Sequence, residues 1–220
     1  MRRREARSVV GRESVGPYTL LRLDRGGIEP GAPGQFFMLE ASGRLLPRPM
    51  SLCLAPVGEL AFLIDPIGPG TRALCELEIG ERIHVFGPLG NGFRLDVERP
   101  LLVGGGIGIA PLPYLSEALG SPPAVLGFRS AHQAEAAALV ANAEVVLEPT
   151  YVTELVDPEA DILACGPEPM LEAVRALAPT AQLAWEAPMA CGHGGCYGCV
   201  VEIDGVLQRL CIAGPVLEAA

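Results

Sequence analysis

Leu101-Leu-Val-Gly-Gly-Gly-Ile-Gly-Ile-Ala-Pro111 carries a short apolar run into Gly104, Gly105, Gly106 and Gly108 and then a proline. Three consecutive apolar residues bounded by glycine read as a buried strand, and the glycines as the turn that leaves it. Pro111 falls in the first turn of a helix running to about residue 119, where its missing N–H costs nothing. Downstream the same unit repeats. A strand at 124–128 precedes an alanine-rich helix around 132–140, and a third strand at 161–165 precedes a third helix at 168–177. This alternation predicts a small, doubly wound, parallel α/β sheet.

A glycine turn between strand and helix is where such sheets hold nucleotide phosphates. Here it departs from the G-x-G-x-x-G fingerprint, because Pro111 stands at the third glycine position. No acidic residue ends the second strand; Arg129 and Ser130 stand there instead. A nucleotide site and a plain tight turn therefore both remain open from these residues alone. Cys165-Gly-Pro167 ends the third strand at the carboxyl edge, where ligands of open α/β sheets bind. Cys165 is accordingly a candidate site residue, with a buried core thiol as the alternative; the latter suits Cys53 and Cys75.

Upstream, from about residue 6 to 97, the pattern changes to short β-runs at 18–23, 35–40, 50–54, 60–64 and 82–86, separated by glycine and proline. Strands at this spacing predict a small antiparallel barrel. Arg48-Pro-Met-Ser51 opens one of these runs, and Gly68-Pro-Gly-Thr71 precedes a short helix at 72–77. An arginine can pair a pyrophosphate through two parallel bonds, and a glycine-led helix start offers free N–H groups. Each signal is weak alone, but together they could hold a dinucleotide such as FAD.

The last forty residues hold Cys191, Cys196, Cys199 and Cys211, spaced C-x4-C-x2-C with the fourth further on. This is the plant-ferredoxin arrangement for a [2Fe-2S] cluster. Four thiolates must converge from a tight loop and a nearby strand, with backbone N–H groups turned towards the sulfurs. Gly192, Gly194, Gly195 and Gly198 suit such a loop, and Val200-Val-Glu-Ile-Asp-Gly205 reads as strand and turn. A zinc site and disulfides are the alternatives, but zinc sites usually pair two short knuckles and here there is one. A Rieske centre needs two histidine ligands, and the whole chain has three histidines, of which His193 alone lies in the loop.

With 220 residues, half of them hydrophobic and 19% charged, the chain can bury a sizeable core. A net charge of −10 argues against a nucleic-acid surface. Arg2, Arg3, Arg4 and Arg7 read as a basic, solvated tail. The uncharged stretch 100–116 is too short and too rich in glycine and proline to span a membrane, and no export signal is evident. Seven cysteines, an odd number, fit a reducing cytoplasm where thiolates stay free for metal.

Taken in order, Arg48-Pro-Met-Ser51, Gly70-Thr71, Gly87-Pro-Leu-Gly-Asn-Gly92, Gly104-Gly-Gly-Ile-Gly-Ile-Ala-Pro111, Cys165-Gly-Pro167, the cysteine loop and Cys211-Ile-Ala-Gly-Pro-Val216 resemble the electron-transfer subunits of dihydroorotate dehydrogenase B, within the ferredoxin–NADP reductase superfamily. The resemblance covers nearly the whole chain. It implies an FAD-binding barrel at 1–97, an NAD-binding α/β domain at 98–182 and a [2Fe-2S] domain at 183–220. It also implies an FMN-containing catalytic partner that oxidises dihydroorotate, a hetero-oligomeric (heterotetrameric) complex, and electron flow from FMN through the cluster and FAD to NAD.

By the same resemblance Arg48, Pro49, Met50 and Ser51 line FAD, with Arg48 on the pyrophosphate and Ser51 near the isoalloxazine. Leu63, Ile64 and Asp65 form a second FAD segment, and Gly70 and Thr71 a phosphate turn. Gly104, Gly105, Gly106 and Gly108 approach NAD, Cys165 lies near the flavin–nicotinamide contact, and Cys191, Cys196, Cys199 and Cys211 hold the cluster. Three departures stand out: Asp65 occupies a commonly basic position, Leu147-Glu-Pro-Thr-Tyr-Val-Thr153 lacks the family's acidic, glycine-rich loop, and the nucleotide-binding segment is short overall. The small subunit of an NADH-dependent ferredoxin–NADP oxidoreductase or a sulfide dehydrogenase shares all three modules, and a redox-sensing protein without turnover would retain the fold.

Overall fold

The computed structural model describes residues 4–40, 43–203 and 205–218. Arg2 and Arg3 of the expected tail and Asp204 of the expected turn lie outside them. The N-terminal half forms six antiparallel strands: β1 (Glu5–Val15), β2 (Tyr18–Asp24), β3 (Phe36–Glu40), β4 (Arg48–Ser51), β5 (Glu59–Ile64) and β6 (Arg82–Leu89). They lie in the order β4-β3-β6-β1-β2-β5, with helix α1 (Pro69–Cys75) between β5 and β6. Phe37, Leu39, Leu21, Leu23, Phe62 and Val85 fill the interior with no exposed surface. The rings of Phe37 and Phe62 meet edge to face at 5.7 Å, although β3 and β5 are not neighbours in the sheet. The sheet therefore curls around its apolar face.

Two expectations are corrected here. The hydrogen-bonded ladder does not close into a barrel among the described residues. Its two edges are joined only just beyond β4, where Leu54 and Ala61 bridge. Strand β4 has four residues, one of them Pro49 with no N–H to give, and Pro56 soon turns the chain away. Arg7 is not part of a solvated tail either. Arg7 lies in β1, between β6 and β2, and pairs with Glu5 and with Asp24, the latter at 3.5 Å. Its strand was hidden by charge-rich composition, since both neighbours supply ladder partners whatever the side chains.

The second half contains β7 (Pro100–Gly105), a 3-10 turn (Gly106–Ile109), α2 (Leu112–Ala118), β8 (Ala124–Phe128), α3 (Ala131–Ala134), β9 (Ala143–Leu147), β10 (Asp161–Cys165), α4 (Glu168–Leu177) and β11 (Gln182–Ala184). Their order is β11-β10-β7-β8-β9, all parallel. The alanine-rich helix is shorter than expected: after α3 the chain tightens into a 3-10 turn at Glu135–Leu139, and only Ala136 and Ala137 there are buried. The strand at 161–165 is the fourth of the sheet, because β9 precedes it. From β7 the chain steps outward to β8 and β9, then returns to the other side of β7 as β10, so the order reverses between β7 and β10.

A two-stranded hairpin, β12 (Val200–Ile203) with β13 (Val206–Arg209), follows the cysteine loop, and β14 (Val216–Glu218) pairs antiparallel with β11 as the sheet's edge. The expected boundary at 182/183 thus falls inside β11. One apolar cluster joins Tyr18, Leu20 and Leu63 to Leu126 and Phe128, and another joins Phe36, Met38 and Leu89 to Cys199, Leu210 and Cys211. The buried Gln182 side chain accepts from the Arg94 N–H at 2.7 Å and donates to its carbonyl at 3.1 Å, fastening the connecting segment to the sheet. No helix among the described residues is long and apolar enough to cross a membrane.

Candidate functional site

The cysteine loop brings its four thiols together as two pairs. Cys199 and Cys211, both buried, stand with sulfurs 3.2 Å apart, and the Cys196 thiol is near enough to Cys191 to favour its thiolate. Among the described residues no three His, Cys, Asp or Glu side chains converge on a point where one ion could sit. A structural zinc needs its four ligands on one point, whereas two irons bridged by sulfide take two thiolates each. The paired arrangement therefore fits the two-iron cluster.

The donors expected of the loop are present. Burial opposes the Cys191 thiolate, but the N–H groups of His193, Cys196 and Gly195 and the Cys196 thiol bring it down to about 6. The Gly198 N–H lies 3.4 Å from the Cys196 sulfur. Cys211 goes the other way: burial and then the adjoining Cys199 push it up to about 11, against the Gly194 N–H. Four thiolates this close need a compensating cation, which is what iron supplies.

The two segments expected to meet a flavin also come together. Arg48 on β4 lies across Gly70 of α1, where an added Cβ would fall 2.2 Å from the arginine Nε. The Arg48 Nη1 donates to the carbonyls of Leu46 and Pro47 at 2.9 and 3.2 Å, fixing the guanidinium beside the helix. Thr71 caps its own turn: its hydroxyl accepts from the Gly68 N–H at 3.0 Å and donates to the Gly68 carbonyl at 3.1 Å. Pro49, Met50 and Ser51 are half-buried along β4. Leu63 and Ile64 are core residues at 3% and 1% exposure, so only their main chain can meet a ligand. Asp65 follows them with its carboxyl raised by burial, and its charge helps burial push Tyr18 up to about 12.

At the reversal of strand order, Gly104 pairs with Cys165. A Cβ on Gly108 would fall 2.4 Å from the Gly166 Cα, so the turn after β7 runs backbone against backbone past the end of β10. A Cβ on Gly105 would strike Met170, and Gly106 adopts φ +54° facing open space. Open α/β sheets bind ligands in such a crevice. Cys165 itself is buried at 3% exposure, and burial, with the Glu186 carboxylate second, raises its thiol well above the ordinary range. Arg129, at the end of β8, pairs with Glu148 across the strand at 3.4 Å.

Residues not foreseen connect these parts. Gly192 of the cysteine loop sits on Met38 of β3, 2.6 Å from a built Cβ to the Met38 Cγ, and His193 stacks edge-on against Phe86 of β6 at 6.2 Å. Met38 pairs in register with Pro49. The cysteine loop thus seats on the side chains of the same strand that pairs with Arg48–Ser51. Asn91 joins two distant motifs, its N–H donating to the Gly214 carbonyl at 2.6 Å and its side chain to the Ala213 carbonyl at 2.8 Å. Arg209 donates to the Gly194 carbonyl at 2.8 Å. As the sole basic residue after position 185 other than histidine, it could have been noticed in the sequence; nothing there marks Met38.

Residues 186–220 match the family described as the iron-sulfur cluster binding domain of dihydroorotate dehydrogenase B. Proteins named dihydroorotate dehydrogenase B (NAD(+)), electron transfer subunit, from Geobacillus thermodenitrificans, Listeria monocytogenes and Bacillus velezensis are 34%, 36% and 37% identical, each match covering 85% or 86% of both chains. Among solved structures, an NADH-dependent reduced ferredoxin–NADP oxidoreductase superposes with a TM-score of 0.82 at 22% identity, over 97% of this chain and 88% of that one. Phthalate dioxygenase reductase superposes with a TM-score of 0.64 at 15% identity, over 79% and 64%. These two show the reductase fold. By its sequence relatives, the chain belongs to the family of dihydroorotate dehydrogenase B electron-transfer subunits.

Proposed function

We propose that this chain is the electron-transfer subunit of a cytoplasmic dihydroorotate dehydrogenase complex in pyrimidine biosynthesis, taking electrons from the FMN of a catalytic partner and delivering them to NAD. Residues 1–97 would hold FAD, 98–182 NAD and 183–220 the cluster. When bound, the [2Fe-2S] cluster supplies one-electron transfer, and FAD the exchange between single electrons and a hydride. The observation that carries this reading is the Gly192–Met38 contact with Met38 paired to Pro49, since neighbouring strands lie only about 4.8 Å apart.

Arg48 is the pyrophosphate partner, with Gly70 and Thr71 beside it, and Pro49, Met50 and Ser51 flank the flavin. Leu63 and Ile64 offer main-chain groups and Asp65 the only carboxylate of that segment. Gly104, Gly105, Gly106 and Gly108 let the nucleotide approach the β7–β10 crevice. Cys165 floors that crevice as a neutral thiol, a role that unchanged NADH oxidation in Cys165→Ser would remove. The catalytic partner docks beside the cysteines, where Val206, Leu207 and Ile212 are exposed around a cleft of about 370 Å³ and Tyr197 of the cysteine loop is exposed as well. Exposed apolar clusters of this kind mark interaction sites, and a heterotetramer is the assembly the family implies.

The test is co-purification with the native partner and an assay of dihydroorotate-dependent NAD reduction, with FAD, FMN and iron quantified. A complex carrying both flavins and iron but reducing no NAD would refute the proposal. Absence of NADH-dependent flavin reduction in the isolated holo-subunit would point instead to a sensor.

A further inference from the structure

Arg209, near the end of β13, is the only lysine or arginine between residues 186 and 220. Among the described residues its guanidinium makes two contacts, both with the cysteine loop. Nη1 donates to the Gly194 carbonyl at 2.8 Å, and the group lies over the Tyr197 ring at 4.7 Å. The Gly194 carbonyl belongs to the same peptide unit as the Gly195 N–H, and Gly195 lies beside Cys191. A Cβ on Gly195 would lie 4.0 Å from the Cys191 sulfur. One arginine thus holds the carbonyl of a peptide whose other side lies beside Cys191.

We propose that Arg209 is a positioning residue for the iron-sulfur centre: it locks the Gly194–Gly195 peptide with its N–H on Cys191, and its charge makes the cluster easier to reduce. A hydrogen bond from a cation to a peptide carbonyl polarises the unit and strengthens the bond its N–H donates. Reduction adds one negative charge beside the thiolates, so stronger N–H donors and a held cation both favour the reduced form. The planar guanidinium suits the dual task, because one edge donates while the face stacks on tyrosine; a lysine ammonium is a compact point charge with neither a planar face nor a fixed fork. The proposal rests on the cluster reading of the four cysteines.

The experiment is a redox titration of the full-length holo-subunit followed by electron paramagnetic resonance, with the bound FAD as internal control. In Arg209→Gln the reduced-to-oxidised ratio of the cluster at fixed potential should fall about tenfold, a shift of about 59 mV for one electron. The FAD midpoint should stay where it is. An Arg209→Gln protein with full iron and an unchanged cluster midpoint overturns the proposal. Should that variant not retain iron, Arg209→Lys decides: a midpoint below wild type with complete iron supports the positioning role, and one equal to wild type overturns it. A wild-type subunit that binds no two-iron cluster would instead overturn the underlying reading, so the two failures are distinguishable.

Discussion

The cysteine loop and the turn after β7 are both rich in glycine, yet the missing side chains serve opposite ends. In the loop they let backbone N–H groups turn inward to sulfur atoms, so the chemistry belongs to four side chains and the backbone supports them. In the turn they let one backbone run against another, Gly108 on Gly166, so the site is made by strands and the side chains step aside. The first kind of site is carried by residue identity. The second depends on which strand the topology puts next door.

The comparison breaks if the loop's thiols prove dispensable. Cys199→Ser should remove nearly all iron and lower dihydroorotate-dependent NAD reduction of the complex by at least about 100-fold, while NADH still reduces FAD. Iron analysis and the two assays check it, and full iron in the variant would count against the cluster.

The turn is tested by two alanines. In Gly108→Ala the Cβ meets backbone that cannot move aside, at a cost of about 2–3 kcal/mol in urea unfolding. Gly106→Ala faces open space and suffers only its left-handed φ of +54°, about 1 kcal/mol. Equal costs would mean that the close approach to Gly166 is not what the turn is built for.

A milder effect on stability, with a clear one on binding, is expected at Gly70. There the clash is with the movable end of Arg48, so Gly70→Ala should fold nearly normally but bind FAD about tenfold more weakly. Flavin fluorescence on dilution reads the release, and undiminished affinity would separate Arg48 from the pyrophosphate.

The smallest effect lies at the far end of β10 from Cys165. Asp161 accepts from the N–H groups of Arg99 and Glu98, each at 2.8 Å, and these bonds hold its carboxyl below the usual aspartate range. A depressed native value means stability that is fully present above the unfolded value of about 3.9 and lost as pH falls through the native one. Asp161→Asn should cost about 0.5–1 kcal/mol at neutral pH and nothing once both forms are uncharged. A cost that persists unchanged in strong acid would assign the effect to packing.

Much of this was legible because local chemistry spells it out. The C-x4-C-x2-C spacing, the strands at 101–103 and 161–165, and the glycines around them follow from residue type and short-range periodicity. Strand β1 was not, since EARSVVGRESV alternates poorly and gains its ladder from β2 and β6 on either side. Barrel closure was misjudged for a related reason: Pro49 and the brevity of β4 act only where two edges must meet. Nor could the pairing of Met38 with Pro49, or the seat of Gly192 on Met38, be found by reading along the chain.

By itself the sequence determined the thiolate set, the glycine turns and the alternation of strand and helix, because these depend on atoms a few residues apart. Only the tertiary structure decided that Cys199 and Cys211 stand side by side, that Arg209 reaches back to Gly194, and that the cysteine loop seats on the strand paired with Arg48–Ser51. Those relations join residues far apart in the chain, and they arise from burying one continuous apolar core beneath three segments that no local rule connects.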